Sequence, residues 1–187
     1  MGYIKYVRAT WRKQEEEISG LMRQRRIDWK NEPATLRIEH PTRIDRARAL
    51  GFKAKQGFLV VRQRVSRGGR QRPDIKGGRK TSNSGQRKYV SKNYQQIAEE
   101  KASKKFVNCE VLNSYYVTQN GQYAWYEVLL VERDNPQVYL NQNTAWAHDT
   151  KNRALRGLTS AARRARGLNK KGFGSEKTRP SKRANSK

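Results

Sequence analysis

The stretch FVNCEVLNSYYVTQNGQYAWYEVLLVE, residues 106–132, contains the strongest structural signal in the chain. Its two halves, 106–117 and 123–132, are rich in Val, Leu, Tyr and Trp, as β-strands are. Asn120-Gly121 lies between them and is a turn pair that tolerates positive φ. The stretch therefore predicts a β-hairpin. Its second strand is apolar on both faces, which predicts a central strand with packed elements on both sides of the sheet.

Before the hairpin in the sequence, the spacing of apolar residues and the positions of capping and turn residues predict alternating helices and strands. The predicted elements are a helix over 3–30, a strand over 34–39, a helix from Thr42 to Gly51, a strand over 58–65 and a helix from Ser91 to about Lys104. Thr42 and Ser91 are the predicted N-caps. In the strand 58–65, alternation places Arg62 and Arg64 on the face opposite Leu59, Val61 and Val65. A short helix around 158–165 is predicted near the C-terminus.

The charge is large and unevenly distributed. The chain has 42 Lys and Arg against 16 Asp and Glu, a net charge of +26. Residues 53–92 and 151–187 each contain 13 basic and 1 acidic side chain, whereas 106–150 contains 1 basic and 5 acidic. Segments this basic bury too little apolar surface to offset the entropy of ordering. A polyanion would relieve their repulsion, so we expect them to order on one.

Several classes of function are disfavoured. No run of about 20 apolar residues is present and the N-terminus lacks a signal-peptide pattern, so we expect no membrane partner. Cys109 alone cannot form an internal disulfide, and we interpret it as a buried apolar side chain in a reducing compartment. His40 and His148 belong to no catalytic motif. We expect no catalytic residues, metal, cofactor or small-molecule substrate. The acids of 106–150 are expected to pair with the chain's own arginines.

Two basic segments, 53–72 and 153–171, are the predicted binding elements. Arginine presents a planar fork that matches phosphate oxygens in pairs, and glycine allows close backbone approach. The basic loop 66–88 joins the first segment. These patterns indicate nucleic-acid binding but do not separate RNA from DNA. A structural RNA-binding protein, a sequence-nonspecific DNA-packaging protein and an RNA-processing enzyme all remain, with the enzyme least favoured.

Several ordered blocks resemble one known family. They are GYIKY at 2–6, RALGFKAKQGF at 48–58, RVSRGGRQRP at 64–73, VLNSYYV at 111–117 and RGLTSA at 156–161. Together they resemble the archaeal and eukaryotic large-subunit ribosomal protein numbered fifteen in the eukaryotic series. The resemblance spans about residues 2–170 and favours an archaeal member, since the segment after Lys171 is shorter than in eukaryotic members.

The resemblance implies a structural component of the cytoplasmic ribosome that binds large-subunit ribosomal RNA and meets neighbouring large-subunit proteins. It implies an α+β fold, with a small mixed or antiparallel four-stranded sheet in the order β-α-β-α-β-β and helices on both faces. Residues 1–170 would form one domain and 171–187 a basic tail. The RNA contacts that the resemblance implies are Lys53, Lys55, Arg62, Arg64, Arg67, Arg70, Arg72, Arg156 and Arg163. The same basic segments add Gln56, Lys80, Arg87, Lys88, Arg153, Arg164, Arg166, Lys170 and Lys171 as candidates.

Overall fold

The computed structural model describes residues 2–13, 16–69, 77–78, 90–169, 176 and 179. Within them the chain is α+β, as predicted. The helices are α1 (Ile4–Lys13), α2 (Glu16–Asn31), α3 (Ile44–Ala49), α4 (Tyr94–Lys105), α5 (Pro136–Tyr139), α6 (Trp146–Asp149) and α7 (Ser160–Ala165). The strands are β1 (Thr35–Ile38), β2 (Phe58–Ser66), β3 (Cys109–Gln119) and β4 (Tyr123–Glu132).

The four strands form one antiparallel sheet in the order β1-β2-β4-β3. The predicted hairpin is confirmed, with register running from Cys109 opposite Glu132 to Gln119 opposite Ala124. Its turn differs in detail, because neither Asn120 nor Gly121 has positive φ. Instead the Asn120 side-chain oxygen accepts hydrogen bonds from the backbone N–H groups of Gln122 and Tyr123, at 2.9 and 2.6 Å.

The prediction that β4 is central is also confirmed. β4 lies between β2 and β3, and its two faces enter two different cores. One core joins Trp125, Leu129 and Val131 to α2, α3, α5 and α6. The other joins Val128 and Leu130 to α4. A strand covered on both sides favours apolar residues on both faces, which explains why β4 is apolar on both faces apart from Glu127 and the terminal Glu132.

Both predicted N-caps are wrong. α3 begins after Arg43, and both the backbone N–H and the hydroxyl of Thr42 hydrogen-bond to the Glu127 carboxylate, the N–H at 3.0 Å, so a tertiary contact takes the side chain of the predicted cap. α4 is capped by Asn93, whose side-chain oxygen accepts from the Gln96 N–H at 2.7 Å. Ser and Asn cap equally well. The Asn93 amide also donates to the Ala161 carbonyl, a long-range bond that favours it over Ser91.

Some predictions fall partly outside the described residues. The predicted helix over 3–30 is described as α1 and α2, and residues 14 and 15 between them lie outside. The basic loop is described only at 66–69 and 77–78, and the tail only at 176 and 179. The division into a 1–170 domain and a 171–187 tail therefore stays a prediction. Across the described ranges, no helix is long and apolar enough to cross a bilayer.

Cys109 is buried, as expected from its apolar surroundings. It packs in the core beneath α4, and burial raises the pKa of its thiol to about 11. A thiol with so high a pKa is largely protonated and unreactive at neutral pH. In the part of the chain that is described, no three His, Cys, Asp or Glu side chains come together as potential metal ligands.

Candidate nucleic-acid interface

A row of polar side chains crosses the face of the sheet that α2 and α3 cover. Arg62 on β2 is opposite Glu127 on β4, which is opposite Tyr115 on β3. Glu127 is fully buried and accepts hydrogen bonds from the Tyr115 hydroxyl and from the Thr42 backbone N–H. Burial raises the pKa of Glu127 above its ordinary value of 4.5, and these hydrogen bonds oppose the increase. The row ties the 39–43 segment to the sheet.

Arg62 is held by protein contacts. It is 9% exposed, and its guanidinium pairs with the Glu32 carboxylate at 2.5 Å. The same group lies over the Trp29 ring, 4.0 Å from the ring centroid. Alternation along β2 correctly placed Arg62 on the face opposite Leu59. The sequence did not show that α2 covers that face, so the burial of this candidate contact was missed.

Arg64 and Arg67 lie at the end of the sheet that carries the hairpin turn. Arg64 donates to the Lys30 carbonyl and lies over the Tyr123 ring, 4.7 Å from its centroid. Arg67 is exposed and donates to the Asn120 carbonyl. A guanidinium has five N–H donors, so these contacts orient both side chains and leave donors for a ligand.

The N-terminus of α4 brings α7 to the same end of the sheet. The Tyr94 hydroxyl accepts from the Gly68 N–H at 2.8 Å, and the Asn93 amide donates to the Ala161 carbonyl at 3.2 Å. Arg163 and Arg164 on α7 are both exposed. Their helix is therefore held beside the start of the basic loop. We call the set Arg64, Arg67, Arg163 and Arg164 the turn-end cluster.

Lys53, Lys55 and Gln56 lie at the opposite end of β2. All three are exposed and precede Phe58, the first residue of the strand. Eight residue steps of strand separate Phe58 from Ser66, a distance of roughly 26 Å. The structure thus divides the candidate contacts between two ends of the sheet and does not gather them into one patch. We call Lys53, Lys55 and Gln56 the 53–56 loop set.

The segment after α6 crosses the outer strand β3. Glu110 accepts from the backbone N–H groups of Asn152 and Arg153, at 2.6 and 3.0 Å. The expectation that the acids of 106–150 pair with arginine side chains is therefore wrong for Glu110. No sequence pattern indicates that two consecutive backbone N–H groups reach this carboxylate from more than 40 residues away along the chain.

Arg153 is half-buried in the same segment. Its guanidinium donates to the carbonyls of Val111 and Leu112, at 2.8 and 3.0 Å, and lies over the Trp146 ring. Burial lowers the pKa of Arg153 below that of an ordinary arginine. Arg156 and Arg166 are exposed nearby, and Arg166 donates to the Gly157 carbonyl.

Seven candidates lie outside the described residues. They are Arg70, Arg72, Lys80, Arg87, Lys88, Lys170 and Lys171. Sequence reasoning also passed over α5, although Asn135-Pro136 is a recognisable helix start, with an N-cap followed by proline at the first helical position. Leu140 follows this helix and is 81% exposed.

An α+β core with basic side chains at both ends of its sheet is typical of proteins that bind polyanions. A family model described as Ribosomal L15 matches residues 2–185, and the chain belongs to this family. Three archaeal relatives carry the name large ribosomal subunit protein eL15. The one from Methanocorpusculum labreanum is 51% identical, with 94% of this chain and 92% of the relative covered.

The other two relatives are as extensive. The protein from Picrophilus torridus is 46% identical, with 96% of this chain and 94% of the relative covered. The protein from Nanoarchaeum equitans is 46% identical over the whole of both chains. The family resemblance predicted from the sequence blocks is confirmed, and so is its archaeal character.

Proposed function

We propose that this protein is a structural constituent of the large ribosomal subunit, where it binds and stabilises folded large-subunit ribosomal RNA and contacts neighbouring ribosomal proteins. The observation that carries the proposal is the full-length similarity to proteins named as components of that subunit. The net charge of +26 supports a polyanionic partner. The protein acts by binding and has no catalytic role.

The described candidates divide into two groups by their surroundings. Arg62 and Arg153 hold the protein core together through a carboxylate, carbonyls and aromatic rings. The exposed candidates face outward and form the proposed phosphate contacts. They are Lys53, Lys55, Arg67, Arg156, Arg163, Arg164 and Arg166, with Gln56 as a neutral partner and Arg64 partly exposed. The seven candidates outside the described residues extend this set.

A competition experiment tests the proposal. The full chain is incubated at moderate salt with labelled large-subunit ribosomal RNA and, as unlabelled competitors, duplex DNA and small-subunit ribosomal RNA of equal length. The large-subunit RNA should bind about 10-fold or more tightly than either competitor. Equal competition by duplex DNA would favour the DNA-packaging alternative. Equal competition by small-subunit RNA would show that the protein binds RNA without preference for the large subunit.

A further inference from the structure

A cleft of about 690 Å³ lies between the 53–56 loop set and α5. Phe58 lines it, and the side chain of Leu140 stands beside it with 81% of its surface exposed. Clefts of roughly 300–1,000 Å³ are the size that holds small organic ligands. The cleft is therefore large enough for a single nucleotide.

The two walls of the cleft are fixed to each other. A Cβ atom on Gly57 would lie 2.6 Å from Val138 and 2.8 Å from Asn135, so the loop packs directly on the start of α5. The Gly57 carbonyl accepts from the Glu132 N–H at 2.9 Å. The Thr144 hydroxyl donates to the Val138 carbonyl at 2.8 Å, which holds the far side of α5. A cleft with fixed walls binds a ligand without the cost of ordering them.

The lining provides the three kinds of contact that an unpaired nucleotide needs. Leu140, which is 81% exposed, offers apolar surface for the face of a base, and Phe58, which is 8% exposed, adds a small apolar part of the lining. The amides of Gln56, Gln137 and Asn141 offer both donors and acceptors, which match the Watson–Crick edge of a base. Lys53 and Lys55 offer positive charge for the flanking phosphates. No carboxylate lines this cleft among the residues that the structure describes.

A neighbouring cleft of about 500 Å³ shares Lys55, Gln56 and Phe58 but differs in charge. Glu39 and His40 line it, together with Pro41. A carboxylate at this position repels phosphate. Charge complementarity therefore favours the first cleft as the site of a nucleotide.

We propose that the cleft between the 53–56 loop and α5 receives a single unpaired nucleotide of the bound RNA, with its base against Leu140 and its phosphates beside Lys53 and Lys55. The inference rests on the proposed function and deepens it, since it assigns base recognition to a surface predicted only to hold phosphates. The amides give the cleft a preference among the four bases, because their donors and acceptors must match the edge presented.

The test compares three full-length proteins bound to transcribed large-subunit ribosomal RNA. They are the wild type, the double variant Gln137→Ala with Leu140→Ala, and the control Gln142→Ala with Val107→Ala. All four positions are exposed, so the fold should be kept in both variants, which circular dichroism checks. The control also removes one amide and one aliphatic side chain, at two positions that do not line the cleft. Dimethyl sulfate and a carbodiimide reagent then report the Watson–Crick edges of unpaired bases at saturating protein.

Protection of one or two unpaired nucleotides by the wild type and the control, with renewed reactivity only in the cleft variant, is the expected result. The affinity of the cleft variant should fall about 10-fold, because it loses the apolar contact of Leu140 and a hydrogen bond of the Gln137 amide. If all three proteins bind the RNA with the same footprint, the inference is wrong while the proposed function stands. That result is also expected if a protein segment fills the cleft. If the wild type does not bind the RNA, both proposals are overturned.

Discussion

The buried carboxylates show how single residues join distant segments of this protein. Glu99 on α4 is fully buried and accepts a hydrogen bond from the Ser114 hydroxyl on β3 at 2.5 Å. Burial raises its pKa above the ordinary value of 4.5, while hydrogen bonds from Ser114 and Thr159 and the charge of Arg153 oppose the increase. Glu99 therefore links α4, β3 and the C-terminal segment, and its burial makes ionisation of the carboxyl group less favourable.

The raised pKa of Glu99 predicts a pH-dependent difference in stability. A carboxyl whose pKa is higher in the folded state contributes full stability below its ordinary pKa of 4.5 and loses it as the pH rises through the raised value. Glu99→Gln removes this titration. We expect the unfolding free energy of the variant, relative to wild type, to rise from mildly acidic to neutral pH in urea denaturation.

The matched control for this prediction is Glu100→Gln, which removes a negative charge from the neighbouring position of α4. Glu100 is partly exposed and pairs with Lys92 at 2.8 Å. Its substitution tests whether any loss of charge on the helix gives the same trend. A relative stability of Glu99→Gln that stays constant or falls over this pH range would contradict the prediction.

At this scale the sequence predicted the direction of side chains better than their partners. Alternation placed Arg62 correctly, because a strand has a fixed period of two. It could not show that Glu32 and Trp29 would enclose the guanidinium, because Trp29 lies on α2 and Glu32 just after it, and the packing of α2 depends on tertiary contacts. The prediction that Glu110 pairs with an arginine side chain was wrong for the same reason, since its partners are backbone N–H groups of a distant segment.

The connection between the 53–56 loop and β2 depends on one glycine. Gly57 has φ +83°, in the left-handed region that favours glycine, and its neighbours leave no room for a Cβ. The loop presents Lys53 and Lys55 because it can turn here and still pack on α5. This element was predicted as a basic segment from its composition. Its packing was not predicted, because a glycine in sequence does not show what lies against it.

Gly57→Ala should therefore lower the free energy of unfolding by about 2 kcal/mol or more, from backbone strain together with displacement of Val138. The control is Gly121→Ala, since Gly121 does not have positive φ and a Cβ there meets no atom within 4 Å. Its effect should be within about 0.5 kcal/mol of zero. Thermal or urea denaturation of both variants measures the difference. Equal effects at the two sites would show that the packing described for Gly57 carries no energy.

Among the elements, the hairpin and β2 were predicted well because each strand is long and rich in β-branched and aromatic residues. The helix starts were predicted less well. Thr42 and Ser91 satisfy the local rule for an N-cap, yet the Thr42 N–H binds Glu127 and the cap of α4 is Asn93. Several residues near each start have the right chemistry, and long-range contacts choose among them. Cap positions therefore carry less information than periodicity.

For the whole molecule, the separation of charge from core explains how a chain with a net charge of +26 folds at all. The acidic segment 106–150 provides the central strand β4 and the outer strand β3, and its carboxylates bind the segments that pack around them. Basic side chains stand at two ends of the sheet, which spreads their mutual repulsion. This partition was predictable from the sequence. The division of the contacts between two ends was not, because it depends on the length and direction of β2.

RNA binding should be steeply dependent on salt. With about 10 phosphates neutralised, the logarithm of the affinity should fall with the logarithm of salt concentration with a slope of about −7 for a single strand. Removing two contacts with Arg163→Gln and Arg164→Gln should reduce that slope by about 1.4. Fluorescence anisotropy across a salt series measures both slopes.

The control for this experiment is Lys101→Gln with Lys104→Gln, which removes two exposed charges from α4 outside the candidate set. Its slope should match that of the wild type. A wild-type slope near −2 would indicate that only about three phosphates are neutralised. Equal slopes for the two double variants would indicate that net charge, and not the turn-end cluster, determines binding.

Residues 151–159, the segment after α6, cover part of the outer strand β3, and we call them the strap. This cover matters for the free protein, before it binds RNA. The outer side of β3 is a place where a second polypeptide could add a strand. In the folded protein the Arg153 guanidinium already donates hydrogen bonds to the carbonyls of Val111 and Leu112 on this strand. A chain shortened before the strap would lose basic side chains and also uncover this side of the sheet. Newly made copies would then be prone to join one another into fibrils or precipitates.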